Sequence, residues 1–283
     1  MQKDHTIVST AKHYALYSAN FGAREGLART DPQIPLREAY TLLLPPFEKA
    51  IKEAGIMGIM ASYNDYDGVP IIGSYFWLTE KLRQEFGFKG YVVSDSDALE
   101  YLFNKHHVAS DAGDAVAQAV NAGMDVRTNF SAPETMILPL RKAVLDGKIS
   151  EETLNQRVRD VLKVKFWLGL FDHPYIEDAE KSVKTVNDPE HKEVAMQASH
   201  ECIVLLKNDP LPGQQNNILP LSKDLHSIGV IGPNANDASY SGTHYGPQGV
   251  NGITVFQGIK NKLGKSVNVN YAKGCEIVDA HWP

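Results

Sequence analysis

Gly90-Tyr91-Val92-Val93-Ser94-Asp95 is the stretch on which the reading of the chain turns. Tyr91 to Ser94 is a short apolar, β-branched run with a glycine before it and a cluster of acids after it. Such a run reads as a strand buried on both faces, the environment of a parallel sheet, rather than as the alternating pattern of a half-exposed strand. The strand delivers a carboxylate, Asp95, at its C-terminal tip. In α/β barrels and open α/β sheets the loops at that end of the strands build the cleft, while the opposite end serves stability. Asp95 is therefore the first candidate for chemistry. Turning the chain or capping the next segment is an equally ordinary use for Asp95 and Asp97 by position alone.

Working outward, strands and helices alternate. Thr6 to Ala11 reads as a strand with Lys12 and His13 at its C-terminal end, followed by an irregular charged segment from Asn20 to Pro35 with Gly22, Gly26 and Pro32 as breakers. Leu36 to Ala54 has a helical pattern interrupted at Pro45-Pro46, where a second helix restarts because proline is tolerated in a first turn. Gly55 ends it. Ile56 to Ser62 is a second buried strand with Tyr63-Asn64-Asp65 at its tip. Tyr75 to Phe86 is expected to be helical and hands over through Gly87 to the Asp95 strand. Asp111 to Ala122 is an Ala-rich helix stopped by Gly123, Met124 to Arg127 a short fourth strand, and Glu134 to Leu145 and Ser150 to Leu168 two further helices. The last opens on Ser150 with Thr153 where a capping box would carry Glu or Gln. Four βα units before Leu170 are half of the eight that close a barrel of about 250 residues.

After Phe171-Asp172-His173-Pro174 the texture changes to a charged, proline-containing linker through about Pro189. A helix from about Glu190 to His200, strands over Cys202–Leu206 and Leu225–Ile231, a helix over Ile253–Leu263 and a strand over Val267–Tyr271 predict a second α/β domain. The expected division is 1–172, a linker at 173–189, and 190–283.

Composition bounds the function. With 43% hydrophobic residues among 283, the chain can bury a sizeable core. Its 28 basic and 34 acidic residues give a net charge of -6 without long runs of one sign, which argues against nucleic acid or an anionic membrane as partner. Cys202 and Cys275 are too few for a disulfide framework or a thiolate metal cluster. No run approaches about 18 apolar residues, and the polar start Met1-Gln2-Lys3-Asp4-His5 is not read as a signal peptide. His106-His107 with Asp111 does not make a metal site, because adjacent histidines point in different directions and the i, i+4 spacing is missing. Gly229 to Asn234 lacks G-x-G-x-x-G, and Pro233 removes a phosphate-facing N–H. No metal and no cofactor are expected.

Several short strings, in order, carry a resemblance: Lys12-His13-Tyr14, Met60-Ala61-Ser62-Tyr63-Asn64, Gly90 to Asp95, Ala122-Gly123-Met124-Asp125, Leu205-Leu206-Lys207-Asn208, Leu219-Pro220-Leu221 and Val230-Ile231-Gly232-Pro233-Asn234. Together they resemble glycoside hydrolase family 3, across nearly the whole chain. That resemblance implies the C-terminal part of a (β/α)8 barrel, followed by the start of an α/β sandwich. It implies a retaining, exo-acting β-glycosidase that releases terminal β-linked xylose or glucose from oligosaccharide or aryl β-glycoside substrates. The chain then reads as an internal piece of a longer parent, for which a periplasmic or secreted location is plausible; oligomeric state is open. The alternative is a non-catalytic carbohydrate-binding or inactive remnant.

By the resemblance Asp95 is the nucleophile, Lys12 and His13 bind the glycone, and Tyr63 stands close to the nucleophile with a hydroxyl to donate. The chemistry suits those residue types. A retaining glycosidase needs one carboxylate to attack the anomeric carbon and a second carboxyl group about 5 Å away to protonate the leaving oxygen. An ammonium nearby also favours the ionised carboxylate. A solvated lysine, a satisfied histidine and a packed tyrosine are the ordinary uses of the same residues. Two features depart from the family. Ser96 follows the nucleophile where many members carry Trp, and none of Glu177, Glu180, Glu190, Glu193 or Glu201 sits in a motif matching the acid/base, which the resemblance puts after Pro283. Ala15-Leu16-Tyr17-Ser18-Ala19 replaces the Gly-rich loop with a catalytic His of the members that cleave N-acetylglucosamine, which disfavours that branch.

Overall fold

A computed structural model describes residues 2, 4–19, 31–176, 178–186, 188–222, 224–238 and 252–277. Gly22, Gly26 and Glu177 lie outside the described residues. The chain divides into two compact units, Met1–Ser182 and Val183–Pro283.

The first unit is organised on a parallel three-stranded sheet. Strand β1 (Thr10–Tyr14) begins the chain's regular structure, followed by helix α1 (Leu36–Glu38), which runs into a π-helical turn at Ala39–Leu43, and then by α2 (Pro45–Lys52), with prolines in its first turn. Strand β2 (Gly58–Ala61) follows. A small antiparallel hairpin comes next, β3 (Asp65–Tyr66) and β4 (Val69–Pro70). Its turn is Asp67-Gly68, both residues at positive φ (52° and 80°), the conformation a two-residue hairpin demands and the dipeptide that adopts it most readily. The expected helix before the Asp95 strand is a π-helix, Phe76–Glu85. Strand β5 (Tyr91–Ser94) completes the sheet in the order β1-β2-β5, and Val126 extends it beyond β5 by a single parallel bridge to Val93.

Burial on both faces explains the continuous apolar runs: Ile59, Ala61 and Val92 have no exposed surface, and Val93 and Ser94 are buried. Helices cover the sheet. They are α3 (Ala98–Asn104), α4 (Ala112–Ala122), α5 (Glu134–Leu145) and α6 (Glu151–Trp167). Helix α4 buries Ala115, Val116, Ala117, Ala119, Val120 and Ala122, its small side chains allowing close approach. Asp111 caps it by accepting from the Asp114 N–H at 2.9 Å, and Gly123 stops it at φ 129°. At α6, Ser150 Oγ accepts from the Thr153 N–H at 3.0 Å, so half of a capping box suffices.

The end of the sheet away from Asp95 is closed by a buried ion network. Asp125 accepts from Arg83 at 2.6 Å, from the Val92 N–H at 2.6 Å, and pairs with Arg157 at 3.2 Å. Asp160 pairs with Arg83 at 3.0 Å and Arg157 at 3.5 Å. Burial pushes the Asp125 carboxyl up to about 6, against the pull of both guanidinium groups.

Three expectations are corrected. The first strand is Thr10–Tyr14, not Thr6 to Ala11: Ile7 is half exposed and Lys12 and His13 lie within the strand, accommodated by an irregularity that their charge hid. Met124 to Arg127 contributes one bridge rather than a strand. Cys202 to Leu206 is not a strand, since Cys202 ends a helix and Ile203, Val204, Leu205 and Leu206 are exposed and pair with no strand among the described residues.

Helix α7 (Ala179–Thr185) lies within the expected linker and runs across the boundary of the two units, and in the second unit α8 (Pro189–Cys202) is capped by Asp188. Strands β6 (Ser227–Ile231) and β7 (Asn268–Ala272) pair in parallel, with α9 (Val255–Leu263) between them in sequence. Thr254 caps α9 by accepting from the Gln257 N–H at 3.1 Å.

Candidate active site

Asp95 follows β5 directly, and its N–H donates to the Ala61 carbonyl at 3.2 Å, continuing the ladder to β2. Its side chain is 12% exposed. Oδ1 accepts from the Ser96 N–H at 2.8 Å, while Oδ2 is buried and makes no hydrogen bond of ordinary geometry among the described residues. His13 Nε2 stands 3.4 Å from that oxygen. That oxygen therefore faces an imidazole at the rim of the sheet.

His13 is carried there by a bulge. Ala11 pairs with Ile59 and Tyr14 with Ala61, so Lys12 and His13 together span the one position of Met60. A bulge re-aims side chains at the rim of a sheet. Tyr14 anchors the far side, fully buried, with its hydroxyl donating to the Trp77 carbonyl at 3.1 Å. Lys12 is exposed on the bulge, one residue before His13.

Tyr63 arrives from the tip of β2. Burial first, then the Asp95 charge and a hydrogen-bonding interaction with that carboxylate, push its phenol far above the ordinary range. It therefore stays protonated and can only donate toward Asp95. The structure thus brings Asp95, His13 and Tyr63 together.

The sequence did not single out the rings around them. His13 packs on Tyr17 (4.9 Å between centroids), Tyr17 on Tyr63 (6.0 Å) and Tyr63 on Tyr101 (5.4 Å). Nor did it single out the stitches that fix the Asp95 loop. The Thr128 N–H donates to Ser94 Oγ at 2.8 Å, the Asp97 N–H to the Thr128 carbonyl at 3.2 Å, and Asn129 Nδ2 to Asp97 Oδ1 at 2.5 Å. Asp97 is left-handed at φ 62°, a conformation Asp tolerates and a positional signal for a special turn. Arg127 pairs with Glu100 at 2.5 Å.

The two histidines weighed for metal act apart, His106 Nε2 on the Tyr63 carbonyl at 2.9 Å and His107 Nδ1 on that of Phe103 at 2.9 Å. Among the described residues no group of three or more His, Cys, Asp or Glu is placed to hold a metal ion, and no helix is long and apolar enough to cross a membrane.

The family models decide the affiliation: residues 1–164 match the glycosyl hydrolase family 3 N-terminal domain and residues 203–278 the C-terminal domain. The chain belongs to glycosyl hydrolase family 3. Among its family 3 relatives, a beta-xylosidase of Formosa agariphila is 33% identical over 287 residues, which cover 97% of this chain and 38% of that protein. A lysosomal beta glucosidase of Dictyostelium discoideum is 33% identical over 284 residues, 95% of this chain and 33% of that protein. The periplasmic beta-glucosidase of Salmonella typhimurium is 32% identical over 281 residues, 97% of this chain and 35% of that protein. Among solved structures, a beta-glucosidase from Listeria innocua in complex with glucose has a TM-score of 0.77 at 26% identity, covering 98% of this chain and 37% of that one. The chain thus spans well under half the length of these relatives.

Proposed function

We propose that this chain carries the nucleophile half of a retaining β-glycosidase that releases terminal β-linked xylose or glucose. The observation that carries the reading is the largely buried Asp95 carboxylate at the tip of β5, with His13 Nε2 3.4 Å from its Oδ2 and the Tyr63 phenol hydrogen-bonding to it. Family membership and relatives named for beta-xylosidase and beta-glucosidase activity support the substrate class. In the first step Asp95 attacks the anomeric carbon; the new C–O ester bond forms as the glycosidic C–O bond breaks, and the leaving oxygen takes a proton from a general acid. In the second step water cleaves the ester, returning the carboxylate and releasing the sugar with its configuration retained.

His13 and Lys12 bind the sugar hydroxyls, and Tyr63 donates toward the carboxylate between turnovers. The sheet and its covering helices are read as the C-terminal part of a (β/α)8 barrel, and the second unit as the start of an α/β sandwich, with domains at 1–172 and 190–283 around a linker. The general acid is read as lying elsewhere in the parent protein, where the family resemblance puts it. A periplasmic or secreted location suits such an enzyme, as in the Salmonella relative.

The test is Asp95→Asn in the complete protein that contains this chain. Hydrolysis of nitrophenyl β-xyloside or β-glucoside should fall at least about 10³-fold, roughly 4 kcal/mol of transition-state stabilisation, with the circular dichroism spectrum unchanged. Near wild-type turnover by the variant would reject the assignment.

A further inference from the structure

Directly after helix α3 come its C-cap Lys105 and then His106, two residues to which the proposed chemistry assigns no part, and both lead to Tyr63. His106 Nε2 lies 2.9 Å from the Tyr63 carbonyl oxygen, a bond to the backbone of the residue itself. Lys105 Nζ sits over the ring of Tyr101, 3.5 Å from its centroid, and Tyr101 packs on the Tyr63 ring at 5.4 Å with 32° between the planes. Tyr101 thereby contacts both a cation and a second ring. A cation over an aromatic face and a packed aromatic pair are each attractive, so the two contacts favour one position of the Tyr63 ring. The stack matters because of where the phenol must sit: a donor a fraction of an ångström out of place loses much of its hold on a developing ester or carboxylate.

We propose that Lys105 and His106 are positioning residues that set the Tyr63 hydroxyl against the nucleophile, Lys105 through the Tyr101 ring and His106 through the Tyr63 backbone. The inference rests on the reading of Asp95 as nucleophile with Tyr63 as its donor. It gives α3 a second task besides packing: its buried face, Ala98, Leu99 and Leu102, holds the helix to the core while its C-terminal end governs the site. It also distinguishes charge from bulk. Arginine keeps a cation over the ring and should substitute for Lys105, whereas methionine keeps the length and removes the charge.

The experiment is a double-mutant cycle in the complete protein, reading kcat and KM on a nitrophenyl glycoside for Lys105→Met, Tyr63→Phe and the pair. Lys105→Met should lower kcat about 3- to 10-fold with KM little changed, Lys105→Arg should restore most of it, and Lys105→Met should cost nothing further once Tyr63 is Phe. Should Lys105→Met fail to fold, the same cycle with His106→Leu, which removes the bond to the Tyr63 carbonyl, carries the test. Equal losses from Lys105→Met with and without the Tyr63 hydroxyl would overturn the proposal while leaving Tyr63 as donor. No loss from Tyr63→Phe alone would instead remove the donor role on which the proposal stands.

Discussion

At Gly90 an added methyl group would meet the Met57 backbone carbonyl well inside van der Waals contact, because the Tyr91 N–H donates to that same carbonyl at 3.0 Å. The glycine is there for close approach. It lets β5 lie against the turn into β2, and so fixes where the strand begins and where Asp95 ends. Gly90→Ala is expected to destabilise the protein by about 1–3 kcal/mol, the range for overpacking that backbone cannot relax, read as a lower denaturation midpoint at unchanged m-value. The position of Asp95 at the end of a strand was legible from the buried β-branched run before it, while its proposed role, like those of His13 and Tyr63, came from the family resemblance of short motifs. Tyr17, Tyr101 and Asn129 were not, since nothing in the local pattern separates an aromatic that packs on another aromatic from one that packs in the core.

Among the elements, β5 is held at both ends by different chemistry. Its tip carries the Asp95 carboxylate, and its start is clasped by Asp125, which binds the Val92 N–H and two guanidinium groups. Replacing Asp125 by Ala leaves Arg83 and Arg157 to share Asp160 and should cost about 3–5 kcal/mol, as breaking a buried network does. The pH dependence has a definite sign. With a folded value of about 6, above the ordinary carboxyl range, Asp125 contributes stability that is present below about pH 4 and lost as pH rises through 6. The stability gap between wild type and Asp125→Asn in urea should therefore narrow from pH 4 to pH 7; a gap that widens would mean that the ionised form is the one the fold prefers. The helices were readable from caps and stops such as Asp111, Gly123 and Ser150, and β2 and β5 from their apolar runs. The rest failed for physical reasons. The bulge at Lys12-His13 places charge inside a strand, α3 is too short to establish a period, and Ile203 to Leu206 has a strand's composition without an edge to pair with among the described residues.

For the whole molecule, the division of labour comes from what the first unit holds and lacks. Under the proposed function it holds the nucleophile and the sugar-binding groups, while Asp97 binds Asn129 and Glu100 pairs with Arg127. An activated leaving group departs without needing a proton, so formation of the glycosyl-enzyme is then less sensitive to the proton donor, whose help is worth about 10²–10⁴-fold chiefly for poor leaving groups. This makes the covalent intermediate accessible to capture. The most direct measurement uses a 2-fluoro xyloside or glucoside with a dinitrophenolate leaving group on the complete protein, with intact-mass analysis and peptide mapping afterwards. The account predicts a single added 2-fluoroglycosyl group on the peptide containing Asp95, lost from the Asp95→Asn variant. A label on any other carboxylate, or hydrolysis with inverted configuration and no label, would contradict it.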